Sequence, residues 1–175
     1  MKSLLSVRHW ILFALMFGIQ LALKFIQFKQ PLEGDISSFV LLNSIGVAVS
    51  FVIFFIWIWS ISVILSSKAK LETKLDPIPF KICVAIIILN TIATVVITLY
   101  SRDMTNYVLP VLAIITMALM IYCLLFTARS LKSIELGRVV RLNEYVGDFF
   151  LLFIFPIGVW FIQPRVNKAW STIAR

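Results

Sequence analysis

Residues 36–67 read ISSFVLLNSIGVAVSFVIFFIWIWSISVILSS and contain no charged side chain. At about 1.5 Å per residue, a helix of this length measures about 48 Å, whereas the hydrocarbon core of a bilayer is about 30 Å thick. The run therefore predicts a transmembrane helix that either tilts strongly or leaves residues 36–42 in the membrane interface. Residues 51–59 are rich in aromatic side chains, and we expect Trp57 and Trp59 near the cytoplasmic interface.

The composition of the whole chain is typical of a membrane protein. Of its 175 residues, 61% are hydrophobic and 14% are charged, against about 45–50% and about 25% in soluble domains. A soluble domain needs polar side chains to cover its surface, whereas lipid removes that requirement. The net charge is +8, and the cations lie between apolar runs. We therefore expect them to face anionic lipid headgroups and not nucleic acid.

Further charge-poor runs complete an all-α transmembrane fold, with four spanning helices in antiparallel up-down order. The first run is interpreted as an uncleaved helix, because no small-residue cleavage site follows it. In chain order, the sequence predicts a cytoplasmic N-terminus (1–9), span 1 (10–28), an outer loop (29–38), span 2 (39–66), a cytoplasmic loop (67–81), span 3 (82–101), an outer turn (102–106) and span 4 (107–128).

The residues after span 4 predict a different kind of structure. Residues 129–148 form a polar, partly helical juxtamembrane segment that Gly137 interrupts. Residues 149–163 are apolar but short for a crossing, and they contain Pro156. They predict either a re-entrant segment kinked at Pro156 or a short fifth span. Gln163 and Pro164 are polar or helix-breaking flanks, and residues 164–175 form a C-terminal tail.

The distribution of Lys and Arg sets the orientation. With the N-terminus inside, three cations lie outside, namely Lys24, Lys29 and Arg102. Ten lie inside: Lys2, Arg8, Lys68, Lys70, Lys74, Lys81, Arg129, Lys132, Arg138 and Arg141. Because short cytoplasmic loops are enriched in cations, this bias predicts a cytoplasmic N-terminus. Three further cations in the tail favour re-entrance of residues 149–163 over a crossing.

Neutral polar residues inside the predicted spans are the candidate functional contacts. Gln20 and Lys24 share one face of span 1. Asn43 is the place in span 2 where an irregularity is expected. Asn90 and Thr94 are one turn apart on span 3. For Gln20 with Lys24, and for Asn90 with Thr94, helix packing is expected in preference to a polar path for a solute.

The sequence predicts no enzyme. It contains no acyl-transfer, phosphoryl-transfer or metalloprotease motif, and it predicts no catalytic, metal-binding or cofactor-binding residue. Cys83 and Cys123 lie at the cytoplasmic ends of spans 3 and 4 and could be neighbours. On the reducing side of the membrane, two free thiols are expected in preference to a disulfide.

One C-terminal stretch resembles known sequences. Residues 145–168, YVGDFFLLFIFPIGVWFIQPRVNK, resemble the ending of small uncharacterised membrane proteins of Bacteroidetes, through GDFF, FPIGVWFIQP and the following Arg165 and Asn167. The resemblance covers only these residues and brings no activity or site with it. It implies a bacterial inner membrane as the location.

The expected function follows from the missing intramembrane chemistry and the short outer loops. The sequence predicts a non-enzymatic structural, assembly or interaction component that contacts anionic lipid headgroups and either a membrane-protein partner or further copies of itself. The alternative is a small solute or ion transporter or channel subunit that acts as an oligomer, with Gln20, Asn43 and Asn90 lining a path.

Overall fold

The protein is described as a computed structural model over residues 6–29, 36–67, 75–100 and 105–173. Within these residues every element is helical, in agreement with the predicted all-α class. The chain divides into two compact units, each described by itself below. The first unit comprises Met1–Lys68 with Phe150–Arg175, and the second comprises Ala69–Phe149.

Three helical stretches are long and apolar enough to cross a membrane: Gly46–Leu65, Ile78–Ile97 and Tyr107–Leu136. They overlap predicted spans 2, 3 and 4. Predicted span 1 lies in a helix over residues 9–29, in which His9–Gly18 is an apolar stretch shorter than a crossing. The first span and the up-down order of all four spans therefore stay predictions.

In the described residues, the first unit contains four complete α-helices, the last turn of a fifth and two π-helical segments. The first helix consists of α1 (His9–Phe13), a π segment (Ala14–Gly18) and α2 (Ile19–Lys29). The helix α3 (Ile36–Trp59) continues into a second π segment (Ser60–Leu65). Serine side chains at both ends of this second segment bond backbone carbonyls of the same helix. The Ser60 hydroxyl donates to the Ile56 carbonyl at 2.7 Å, and the Ser67 hydroxyl donates to the Ile64 carbonyl at 2.8 Å. Such bonds satisfy hydroxyl groups inside the helix itself.

The last turn of α6 (Leu142–Phe153) and the helix α7 (Phe155–Ile173) complete the first unit. They meet at Ile154, whose N–H donates to the Phe150 carbonyl at 2.9 Å and whose own carbonyl accepts from Gly158 at 3.0 Å. Pro156 lies in the first turn of α7, where a missing N–H costs nothing. The break expected at Pro156 therefore falls two residues earlier, and α7 continues through Pro164 instead of ending there.

The second unit is an antiparallel helical hairpin followed by a turn and by most of α6. The hairpin helices are α4 (Ile78–Tyr100) and α5 (Thr105–Leu136). Near the start of α4, Phe80 stacks on Phe126 of α5 with ring centroids 5.4 Å apart. Further along α4, Asn90 bonds Thr116, which precedes Phe126 in the chain. The opposite order of these contacts shows that the two helices run antiparallel.

Gly137 follows the last residue of α5, and Glu144 lies in the first turn of α6. Gly137 has φ 68°, and the N–H of Arg138 donates to the Ser133 carbonyl at 3.2 Å, which is the bond of a Schellman C-cap. Glu144 accepts from the backbone N–H of Arg141 at 2.8 Å, as the glutamate of a capping box does. It also forms an ion pair with the Arg138 guanidinium. The segment predicted as partly helical is thus two helix ends joined by a short turn that Glu144 holds.

Gly158 is a glycine that a neighbouring backbone segment approaches closely. A Cβ at this position would lie 1.8 Å from the Leu151 carbonyl oxygen. We expect Gly158→Ala to destabilise the protein by about 1–3 kcal/mol, because backbone must move to admit the methyl group. Gly147→Ala is the control, since nothing lies within 4 Å of a Cβ there and alanine favours a helix by about 0.5–1 kcal/mol. Thermal unfolding in detergent micelles, followed by circular dichroism, measures both. Equal midpoints for the two variants would contradict the close approach.

The Arg138–Glu144 pair predicts a dependence on pH. The hydrogen bond from Arg138, with that from the Arg141 N–H, lowers the pKa of the Glu144 carboxyl. The pair's contribution to the free energy of unfolding is complete above the ordinary glutamate pKa of about 4.3. It is lost as the pH falls through the lowered pKa of Glu144 in the folded protein. We expect the unfolding midpoint of the native chain to fall more steeply below about pH 4 than that of Glu144→Gln. Parallel pH profiles of the two chains would show that the pair contributes nothing.

Candidate functional site

A buried amide network holds the first unit together. The Trp57 indole N–H donates to Gln163 Oε1 at 2.6 Å, and both side chains are completely buried. Gln163 Nε2 donates to the Val7 carbonyl at 3.0 Å and to Asn167 Oδ1 at 3.0 Å. Asn167 Nδ2 donates to the same Val7 carbonyl at 3.1 Å. We call Trp57, Gln163, Asn167 and the Val7 carbonyl the Gln163 network.

Each group in the Gln163 network has a partner, which is the condition for burying it. Both amide hydrogens of Gln163 are used, and its oxygen accepts from the indole. An unpaired buried polar group costs about 1–3 kcal/mol. The network therefore joins α3, α7 and the residues before α1 through bonds that no single helix can make alone.

Aromatic rings pack around the start of α7 within the same unit. Phe155 contacts Phe17 of the first π segment, with centroids 4.8 Å apart, and Phe54 of α3, at 4.9 Å. Trp160 lies 4.7 Å from the His9 ring. His9 therefore makes an aromatic contact with the Trp160 indole, which is a packing contact and not one between metal ligands.

A second polar contact joins the first helix to α3. The Ser50 hydroxyl lies 2.6 Å from the Met16 carbonyl and 3.0 Å from the Gly46 carbonyl, and it can donate its one hydrogen to either. Gln20 Nε2 donates to Ser50 Oγ at 3.1 Å. Met16 belongs to the first π segment, where helical hydrogen bonding is irregular, so an acceptor is directed to a side chain of another helix. The small residues Gly46 and Ser50 permit this approach.

The second unit has its own amide contact. Asn90 Nδ2 donates to the Leu112 carbonyl at 2.8 Å and to Thr116 Oγ1 at 2.6 Å. The Thr94 hydroxyl donates to the Asn90 carbonyl at 2.9 Å. Asn90 thus uses both of its amide hydrogens to join α4 to α5, while Thr94 bonds its own helix.

The predicted site residues are distributed between these contacts. Gln20 belongs to the Ser50 contact, and Asn90 and Thr94 belong to the α4–α5 contact. Lys24 is exposed on α2. Asn43 lies on α3, but its side chain falls outside the described residues. Gln20 and Asn90 lie in different units, and each bonds helices of its own unit.

Sequence reasoning missed the Gln163 network. The aromatic pattern predicts Trp57 near the membrane interface, but it does not predict that the side chain is completely buried inside the protein. Gln163 and Pro164 together resemble the polar, helix-breaking flank of an apolar run. The signal that could have found the network is the spacing of Gln163 and Asn167, which places two amides on one face of a helix. This shared face can be recognised only if the helix is taken to continue through Pro164.

Replacing Gln163 tests the network. We expect Gln163→Leu to destabilise the protein by about 1–3 kcal/mol, because it leaves the Trp57 N–H without an acceptor in an apolar core. Gln20→Leu is the matched control. It leaves Ser50 bonded to backbone carbonyls, so its cost should be near the average of about 0.6 kcal/mol for interhelical bonds in membranes.

Thermal unfolding in micelles gives both values. A smaller loss for Gln163→Leu than for Gln20→Leu would show that the network is not the main polar contact of the first unit.

The chemistry of these contacts is that of helix packing. In the described residues, no three His, Cys, Asp or Glu side chains gather closely enough to hold a metal ion. The polar contacts consist of neutral amides, hydroxyls, an indole and carbonyls, whose hydrogen bonds run between or within helices. The chain matches no protein-family model, no curated protein and no solved structure.

Proposed function

We propose that this chain is a non-enzymatic membrane protein that acts by association, with a membrane-protein partner or with further copies of itself, in a bacterial inner membrane. The observation that carries this proposal is the hydrogen bonding of its buried and half-buried side-chain amides. Gln20, Asn90 and Gln163 all bond neighbouring helices of their own unit. The polarity of these three amides is therefore used within the protein.

The bonding of Asn90 supports association over transport. A residue that coordinates a passing solute needs a donor or acceptor directed into the path. Both amide hydrogens of Asn90 are engaged with α5, and Gln20 donates to Ser50. A path lined by these residues would first have to break helix-packing bonds.

The outer faces of α4 and α5 support association through apolar contact. Leu89 is 66% exposed and Ile114 is 69% exposed, although each lies in a stretch long enough to span a membrane. In a bilayer, such faces meet either lipid tails or the helices of another protein. A hairpin that leaves this much apolar side-chain surface outside has room for a partner helix.

The basic side chains at the end of α5 and in the turn after it support contact with the cytoplasmic leaflet. Lys132 lies 3.9 Å from Glu135, and Arg138 pairs with Glu144, whereas Arg141 is exposed. With the N-terminus inside, the exposed cations lie where anionic headgroups attract them by about 1 kcal/mol each. Lipid binding then holds the hairpin ends at the surface, and association uses the apolar faces.

Photo-crosslinking at single positions tests the proposal. A photoreactive amino acid is placed at Leu89 or Ile114, and at Ile87 as the matched control, because Ile87 is on the same helix but only 5% exposed. In native membranes, we expect discrete protein adducts from the two exposed positions. Mass spectrometry of the adducts distinguishes a second copy from another membrane protein. If Leu89 and Ile114 yield lipid adducts alone, association through this surface is wrong.

A further inference from the structure

Two contacts fix the register of the α4–α5 hairpin. Phe80 stacks on Phe126, and Asn90 bonds Thr116. Asn90 lies ten residues after Phe80, and Thr116 lies ten residues before Phe126. Since antiparallel helices advance equally in opposite directions, both contacts belong to one register.

The same register places the two cysteines opposite each other. Cys83 lies three residues after Phe80, and Cys123 lies three residues before Phe126. Contact positions that alternate by three and four residues are those of helices packed at a small angle. The next step of four brings Ile87 opposite Leu119. Burial fits this pattern, since Cys123 is completely buried and Ile87 nearly so.

We propose that Cys83 and Cys123 form a facing dithiol pair, and that a lipid-soluble disulfide oxidant converts this pair into an intrachain disulfide. Both thiols are free in the structure. The pair is independent of the partner surface, because it lies in the contact between α4 and α5 and not on their outer faces.

The burial of the two sulfurs assigns their roles. Cys83 is partly exposed, whereas Cys123 is buried. Since α4 begins at Ile78, Cys83 is about 7.5 Å along the axis from the helix start. Of the two thiols, Cys83 is therefore the one that an oxidant reaches first, and the thiol that is reached must lose its proton before it attacks a disulfide. Cys83 is therefore the attacking thiol, and Cys123 is the resolving thiol.

The reaction has two exchange steps. The Cys83 thiolate attacks one sulfur of the oxidant, the disulfide of the oxidant breaks, and one thiolate leaves. Cys123 then gives its proton to that thiolate and attacks Cys83 Sγ, which releases the second thiolate. The protein loses two electrons and two protons, and the oxidant becomes two thiols. The new bond ties α4 to α5 near the end of the hairpin that carries Phe80 and Phe126.

Oxidation of the full-length chain in micelles with 2,2′-dipyridyl disulfide tests the pair. We expect a monomer that has lost two hydrogens, retains no pyridine-thiol adduct and no longer reacts with maleimide. Cys123→Ser should stop at one adduct on Cys83. Cys83→Ser should react at Cys123 at least about tenfold more slowly, because that sulfur is reached only when the helices open locally.

Three outcomes for the native chain would overturn the pair: two stable adducts, bridges between chains only, or no reaction at Cys83. A register control uses the cysteine-free chain, made by Cys83→Ser with Cys123→Ser. In it, Ile87→Cys with Leu119→Cys should form a bridge on oxidation. Ile88→Cys with Leu119→Cys should not, since Ile88 is 55% exposed on another face of α4. Equal bridging by both designs would show that the register is wrong.

Discussion

A polar group inside a membrane protein has no water to bond with, so its partner must come from the protein itself. Gln163 is the residue at which this constraint is strictest. Its side chain is completely buried, and its amide meets an indole, a carbonyl and a second amide from different parts of the first unit. These partners exist only when α3, α7 and the segment before α1 are together. The network therefore specifies which helices pack, a choice that apolar contacts alone leave open.

Four threonine hydroxyls obey the same constraint in a more local way. Thr91, Thr94, Thr116 and Thr127 each donate to the carbonyl four residues earlier in their own helix. Such a bond satisfies the hydroxyl wherever the helix lies, so it favours no particular neighbour. Amides are longer and carry two donors, and a single helix rarely satisfies them. In this chain, the specific contacts between helices accordingly centre on Gln20, Asn90 and Gln163.

The parts of the structure that sequence could predict are those set by composition along the chain. Charge-free runs predicted apolar helices, and three of these are long enough to cross a membrane. The sequence predicted that Asn90 and Thr94 pack helices; Asn90 bonds α5, whereas the Thr94 hydroxyl bonds its own helix. The Gln163 network and the burial of Trp57 depend on residues more than a hundred positions apart. No local sequence pattern contains that information, and the proline after Gln163 predicts a helix end where the structure has none. The two π segments were also missed, since nothing in their residue types distinguishes them from ordinary helix.

Those π segments affect how the helices tolerate insertion and deletion. A π turn accommodates one more residue than an α-helical turn, so side chains beyond it are rotated by about 100° from their place on an unbroken helix. In the first helix, the segment Ala14–Gly18 thereby sets the angular phase at which Gln20 meets Ser50. A homologue lacking one residue there could form a regular helix at little cost to its backbone. Its downstream side chains would, however, point to a different neighbour. Length changes at this point of the helix therefore select packing partners in a way that substitutions do not.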